Sequence, residues 1–164
     1  MAQRKIREAG DEILRKKSKP VEIINDKILE LLDDMYETLK TADDGIGLAA
    51  PQVGVLKRVI VIDLSGEGGE GPYKLINPVI KKSKGKQVCR EGCLSVPGIL
   101  GDVTRPKEVV VEALNEKGEK VTINATDILA IVLSHEIDHL DGILFTDKAT
   151  ELFDANAEDT EEEK

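Results

Sequence analysis

The two histidines of this chain lie four residues apart, in His135-Glu136-Ile137-Asp138-His139. An α-helix turns once in about 3.6 residues, so positions i and i+4 share a face with Cβ atoms roughly 5–6 Å apart. Two imidazoles held in this way can bind one divalent cation. Glu136 is offset along the turn, where it can reach water beside the cation rather than the cation itself. The plain competing account is a pair of histidines on a solvated helix. A hydrolytic site usually takes three protein ligands and keeps one position open. The third ligand can come from Glu151, Asp138, Asp141 or a cysteine. Asp138 points off the shared face, where it can instead brace a histidine. Cys93 stands in Glu91-Gly92-Cys93-Leu94-Ser95-Val96-Pro97, and Gly92 lets backbone come close. A thiolate there lowers the site's net charge yet still permits acidic water near neutral pH. Cys89 lies on the same side of an extended strand as Cys93. It either closes a Cys2His2 structural zinc site, which leaves Glu136 without a task, or is a buried bystander.

A helix must carry the histidines. Asn124 can cap it, Asp127 can bond back three residues later, and Gly142 can stop it. Between them, Ile128 to Leu133 is apolar all round, the pattern of a helix buried through a core. Counting back from His135 along its face gives Val132, Ile131 and Ile128, an apolar floor beside the metal site. The same residues read equally as plain core. Asn25 can cap an earlier helix running to about Lys40, with Ile28, Leu31, Leu32, Met35, Tyr36 and Leu39 as its stripe. Arg58–Leu64 is a buried strand by its β-branched content. Tyr73–Ile80 reads as a strand broken at Asn77-Pro78, and Lys86–Ser95 as extended. Lys107–Leu114 and Glu119–Ile123 flank a turn at Asn115-Glu116-Lys117-Gly118. Without a βαβ rhythm, the fold class is α+β, with antiparallel or mixed sheets packed around a buried central helix.

The length and the 40% apolar content suit one core. Residues 1–150 form one catalytic domain in this reading, and 151–164 an acidic, partly disordered tail. Glu151, Asp154, Glu158, Asp159, Glu161, Glu162 and Glu163 face only Lys164 there, and so supply most of the net charge of −9. No signal peptide opens the chain, and no run approaches the roughly 20 apolar residues of a membrane span. The expected place is the cytoplasm, with both cysteines reduced and no membrane contact. The basic runs Arg15–Lys19 and Lys81–Lys86 lack interleaved aromatics and read as solvated loop charge, so no direct DNA binding is expected. Gly45-Ile46-Gly47-Leu48-Ala49-Ala50-Pro51-Gln52 allows close backbone approach. It follows no strand, lacks a third glycine and is not a nucleotide fingerprint.

Three segments taken together, GIGLAAPQ, EGCLSVP and HEIDHLDG, resemble the three signature motifs of the peptide deformylases, in that family's order and spacing. The resemblance runs from Asp11-Glu12-Ile13-Leu14-Arg15 to about Asp147. It implies a metal-dependent hydrolase that removes the formyl group from the N-terminal formylmethionine of new polypeptides. By this resemblance Cys93, His135 and His139 hold the metal, and a metal-bound water attacks the formyl carbon with Glu136 as general base. Gln52 (side-chain amide) and the Leu94 backbone N–H stabilise the oxyanion, and Gly47 lets the substrate backbone pair in β-strand fashion. Ile46, Leu94, Ile128, Ile131 and Val132 take the methionine side chain, and Glu91 with Arg105 forms a supporting ion pair. The resemblance implies Fe2+ as the working ion, with Zn2+, Ni2+ or Co2+ as substitutes. Ligand softness and the Irving–Williams order by themselves favour zinc. Partners implied are N-formylmethionyl nascent chains and a transient ribosome contact. The basic C-terminal helix with which some members dock on the ribosome is replaced here by acid. Ser134 stands where many members have glutamine, and no basic residue follows Pro97 within Gly98–Asp102. Two alternatives stay open. A zincin-like metallopeptidase needs a carboxylate third ligand, and a non-catalytic zinc module needs Cys89.

Overall fold

A computed structural model describes residues 2–42 and 45–155. Helix α1 (Asp26–Thr41) starts where Asn25 accepts the Ile28 N–H at 3.1 Å, as the capping signal demands. Its stripe of Ile28, Leu31, Leu32, Met35 and Leu39 is buried. Each such side chain contributes about 1.5–3 kcal/mol of burial. Eight strands follow in chain order with two more helices: β1 (Gly47–Ala49), β2 (Val59–Ile62), β3 (Tyr73–Lys84), β4 (Gln87–Cys93), β5 (Val96–Arg105), β6 (Glu108–Leu114), β7 (Lys120–Thr126), α2 (Asp127–Leu140), α3 (Phe145–Lys148) and β8 (Ala149–Asp154).

The strands form two sheets, one ordered β1-β2-β3-β6-β7 and one ordered β4-β5-β8. Every strand pair is antiparallel, so the fold is α+β of the antiparallel kind and the mixed option falls away. The lone parallel bridge found, Lys19 to Lys57, lies outside the strands. Strand β2 explains why its sequence is continuously apolar: both of its faces are covered. Ile60 and Ile62 join the core with Leu133, Ile137 and Leu140 of α2, whereas Val59 and Val61 join the core with Leu32 and Met35 of α1. Strand β1 splits in the same way, with Ala49 toward α2 and Leu48 toward α1. A smaller cluster of Leu14, Val96, Val103, Leu144 and Phe145 underlies the second sheet.

Several expectations are corrected. β7 runs on to Thr126, so Asn124 is a strand residue and α2 begins only at Asp127, which has φ +55. Ile128 was expected in the buried run, but it is 47% exposed in the first turn of α2 while Ala130 to Leu133 are buried. The boundary at residue 150 falls inside β8. Leu152 pairs with Gly101 and Phe153 with Leu100, and the Arg90 guanidinium sits 4.0 Å over the Phe153 ring. Pairing with β5, with Phe153 under the Arg90 guanidinium, thus holds the first acidic residues in the sheet. The rest of the expected disordered tail, 156–164, lies outside the described residues. The break expected at Asn77-Pro78 is a bulge in β3, where Asn77 exchanges side-chain hydrogen bonds with the Val21 backbone at 2.8 and 2.9 Å. No helix among the described residues is long and apolar enough to cross a membrane.

Candidate metal centre

Helix α2 carries His135 and His139 on one side, and both are buried among the residues that pack α2 on the five-stranded sheet. Their rings meet edge to face with centroids 5.0 Å apart. Cys93 arrives from the other sheet, as the last residue of β4 before the two-residue turn Leu94-Ser95. Its Sγ lies 3.4 Å from His139 Nε2, and one ligand atom from each of Cys93, His135 and His139 lies within 4.8 Å of the others. Among the described residues these three are the group whose donors could hold one metal ion. The rival donors are engaged elsewhere. Asp138 pairs with Arg105 at 2.7 Å rather than bracing a histidine, Asp141 pairs with Arg58 at 3.0 Å, and Glu151 sits exposed in β8. Cys89 is outside the cluster, so the closed four-ligand site does not form.

The donor set fits a divalent cation on its own chemistry. His135 Nδ1 lies 2.9 Å from Glu91 Oε1, which leaves Nε2 facing inward. Arg105 holds the same carboxylate in a two-pronged pair, Nε to Oε2 and Nη2 to Oε1, each at 2.9 Å. Burial would raise the pKa of Glu91, but the bonds from Arg105 and His135 outweigh it and keep the carboxylate below its usual range. Glu136 is buried, its Oε2 4.0 Å from His135 Nε2, and its Oε1 has no protein hydrogen-bond partner. Burial pushes its pKa up to about 7. Burial opposes the imidazolium of His135, but Glu136, Cys93 and Glu91 overcome that and raise it to about 10. His139, by burial and then by the charges of His135 and Arg105, is held well below 6.5. Cys93 offers a soft donor and the two imidazoles borderline ones, converging beside the buried Glu136 carboxylate. That is the environment a divalent cation satisfies.

Gly47 explains how Glu136 reaches its place. A Cβ on Gly47 would sit 2.6 Å from Glu136 Oε2, so the carboxylate occupies the space a side chain would need. Gln52 closes the short helical turn Ala50–Val53 by accepting the Ala49 N–H at 2.9 Å through Oε1. Its Nε2 then faces Cys93 Sγ at 3.5 Å and Ser95 Oγ at 3.0 Å. A cavity of about 510 Å³ opens in front of the cluster. Its walls include Ile46, Leu94, Ile131, Val132 and, at its exposed edge, Ile128. β1 and β4 are end strands of their sheets, and both contribute residues to this cavity. A larger hollow of about 740 Å³ lies against Arg4–Glu8, Asp11 and Val53 and contains none of the cluster.

The polypeptide deformylase family model matches residues 3–154. The chain belongs to the polypeptide deformylase family. It is 60% identical to a peptide deformylase of Acetivibrio thermocellus over 154 residues, 94% of this chain and 88% of that one. It is 56% identical to peptide deformylase 2 of Clostridium acetobutylicum, covering 92% of this chain and 98% of the relative. Among solved structures it is similar to a peptide deformylase from Legionella pneumophila, with a TM-score of 0.86 at 44% identity, covering 91% of this chain and 87% of that chain. It is also similar to one from Synechococcus elongatus in complex with actinonin, with a TM-score of 0.84 at 42% identity, over 89% and 78% of the two chains. Members of this family are enzymes that use a divalent metal. Sequence reasoning missed Ser95 and Lys148 at this site, which carry no signal of their own, and gave Asp138 a different task. Ser95 meets Gln52 from 43 positions away, and Asp138 and Lys148 extend the Glu91–Arg105 pair into a chain of charges at 2.7 and 2.9 Å.

Proposed function

We propose that the chain hydrolyses the formyl amide of N-formylmethionyl polypeptides, with Cys93, His135 and His139 holding the metal and Glu136 as general base. The observation that carries this reading is the Glu136 carboxylate, buried beside the three donors in space that Gly47 leaves free. A divalent cation held there supplies the positive charge that polarises the formyl carbonyl and makes water acidic near neutral pH. Glu136 takes a proton from that water and delivers it to the departing amine, a transfer its position beside the donors allows. The Gln52 Nε2 amide and the Leu94 backbone N–H donate to the oxygen that gains charge, each such donor being worth about 10²–10³ in rate. Ile46, Leu94, Ile131 and Val132 enclose the methionine side chain, with Ile128 at the mouth. The substrate backbone adds to the end strands β1 and β4, where main-chain bonds give affinity without reading sequence. Glu91 and Arg105 work from behind, fixing the His135 ring rather than touching substrate.

We read α2 as the central helix around which both sheets are arranged, supported by its burial in the core it shares with the five-stranded sheet and by its contact with β5 of the other. We read Fe2+ as the working ion, with zinc, nickel or cobalt able to replace it. This rests on the family resemblance, since the donors suit all four. The partners are nascent formylmethionyl chains in the cytoplasm. The segment from Glu151 onward is acidic, so any transient ribosome contact runs through another surface. The test is Glu136→Ala, assayed for formate release from formyl-Met-Ala alongside metal content. The variant is expected to keep its metal and lose turnover. Turnover at the wild-type rate removes Glu136 from the reaction. Replacing Ile131 with Trp is expected to raise KM for methionine-first substrates, and an unchanged KM takes it out of the pocket.

A further inference from the structure

Ser95 is fully buried in the two-residue turn between β4 and β5, at 0% exposure. Its hydroxyl accepts the Gln52 Nε2 hydrogen bond at 3.0 Å. The orientation of that amide follows from chemistry. The Ala49 N–H can only donate, so the group facing it at 2.9 Å must be the Gln52 oxygen, and Nε2 must face Ser95 and Cys93. A primary amide has two N–H bonds. Ser95 engages one, and the other faces the weak acceptor Cys93 Sγ at 3.5 Å, on the side where the donors converge. The backbones are tied as well. The Arg7 N–H donates to the Gln52 carbonyl and the Ala9 N–H to the Ser95 carbonyl, each at 2.7 Å. Alternate residues of the N-terminal segment thereby clamp the two turns at one spacing.

We propose that Ser95 is the positioning residue of the Gln52 amide, holding one N–H so that the other stays on the Cys93 side, where it can pass from the weak sulfur contact to the reacting oxygen. Without the hydroxyl, only the Ala49 bond and the long contact to Cys93 Sγ hold the Gln52 amide, and its Nε2 end is free to swing. An oriented dipole then becomes one that must reorganise during the reaction, which forfeits most of its catalytic worth. The buried Nε2 group also loses the stronger of its two partners. This inference rests on the deformylase reading of the site for its kinetic arm and on geometry alone for its spectroscopic arm.

The experiment uses the metal-loaded enzyme with formyl-Met-Ala, and the variants Ser95→Ala, Gln52→Ala and both together. Gln52→Ala is expected to lose about 10²–10³ in kcat. Ser95→Ala is expected to lose roughly 10- to 100-fold in kcat, with KM within about twofold. The double variant is expected to match Gln52→Ala within about threefold, because a residue acting through Gln52 has nothing left to orient. Losses that multiply would overturn the proposal. Ser95→Cys, near in shape and a weak acceptor, serves if the alanine variant does not fold, with the same expected loss. In the zinc-loaded protein, the Gln52 side-chain amide resonance is identified by its disappearance in Gln52→Ala. It is expected to show slow proton exchange in wild type and fast exchange in Ser95→Ala; equal exchange in both sinks the idea. If wild type releases no formate, the deformylase reading fails, while the exchange measurement still judges Ser95.

Discussion

The candidate metal centre joins two regions built on different physics. The side carrying His135 and His139 is a helix whose buried face shares an extended apolar core with the five-stranded sheet. The side carrying Cys93 is a hairpin of a three-stranded sheet. The buried apolar cluster beneath it comprises, among the described residues, only Leu14, Val96, Val103, Leu144 and Phe145. Packing fixes the first. The second is fixed by polar links that cross to the first: Glu91 to His135, Arg105 to Asp138, Ser95 to Gln52, and the Arg7–Ala9 clamp. A directional bond sets one atom's position at small cost in area, whereas a core sets a whole helix. The difference teaches that ligand geometry here depends most on groups that a hydrophobic survey would overlook.

Four measurements break or sharpen that contrast, in falling order of effect. Arg105→Met leaves Glu91 and Asp138 without their buried cation, and such a loss typically costs about 3–5 kcal/mol. Urea unfolding and metal affinity are both expected to fall; unchanged metal affinity would detach the charge chain from the centre. Leu133→Ala, in the fully buried part of α2, is expected to cost about 2–5 kcal/mol of stability while leaving the surviving molecules' kcat nearly intact. Should it instead cut kcat as deeply as Arg105→Met does, the division of labour between packing and polar links fails.

Gly47→Ala puts a methyl where the Glu136 carboxylate lies, so kcat is expected to drop about 10²-fold with a melting temperature near wild type. The smallest effect concerns Asp34, far from the metal. The Ala2 N–H and the Arg4 guanidinium hold its carboxylate below the usual range, outweighing the opposing effect of burial. A depressed folded value contributes stability above the unfolded value near 3.8 that disappears as pH falls through the folded one. Asp34→Asn is therefore expected to lower the melting temperature by a few degrees at pH 7, with the gap closing as pH falls below the ordinary carboxylate range.

Much of the helix side could be read from sequence because its signals are local. Asn25 and the stripe of α1, the continuous apolar run of β2 and the i, i+4 histidines each sit within one element. The hairpin side was less legible. β5 contains Pro97, Gly98, Gly101 and Asp102, all poor strand formers, and becomes a strand through its partners β4 and β8. β8 lies at the start of a stretch whose composition speaks for solvation. α2 starts two residues later than a cap at Asn124 implies, because β7 runs on to Thr126 and that residue becomes the cap. Cys93 was one of several candidate ligands until the three motifs were taken together. The Ser95 contact depends on a fold that brings two turns together, so no spacing rule exposes it.

Strand β1 is three residues long and ends its sheet. An edge so brief can grip a guest chain through only a few main-chain bonds, too few for durable aggregation or tight product retention. On the proposed reading, in which a substrate backbone adds to β1 and β4, shortness of the β1 edge favours rapid exchange over affinity on that side. Lengthening it would make the enzyme a better trap and a slower worker.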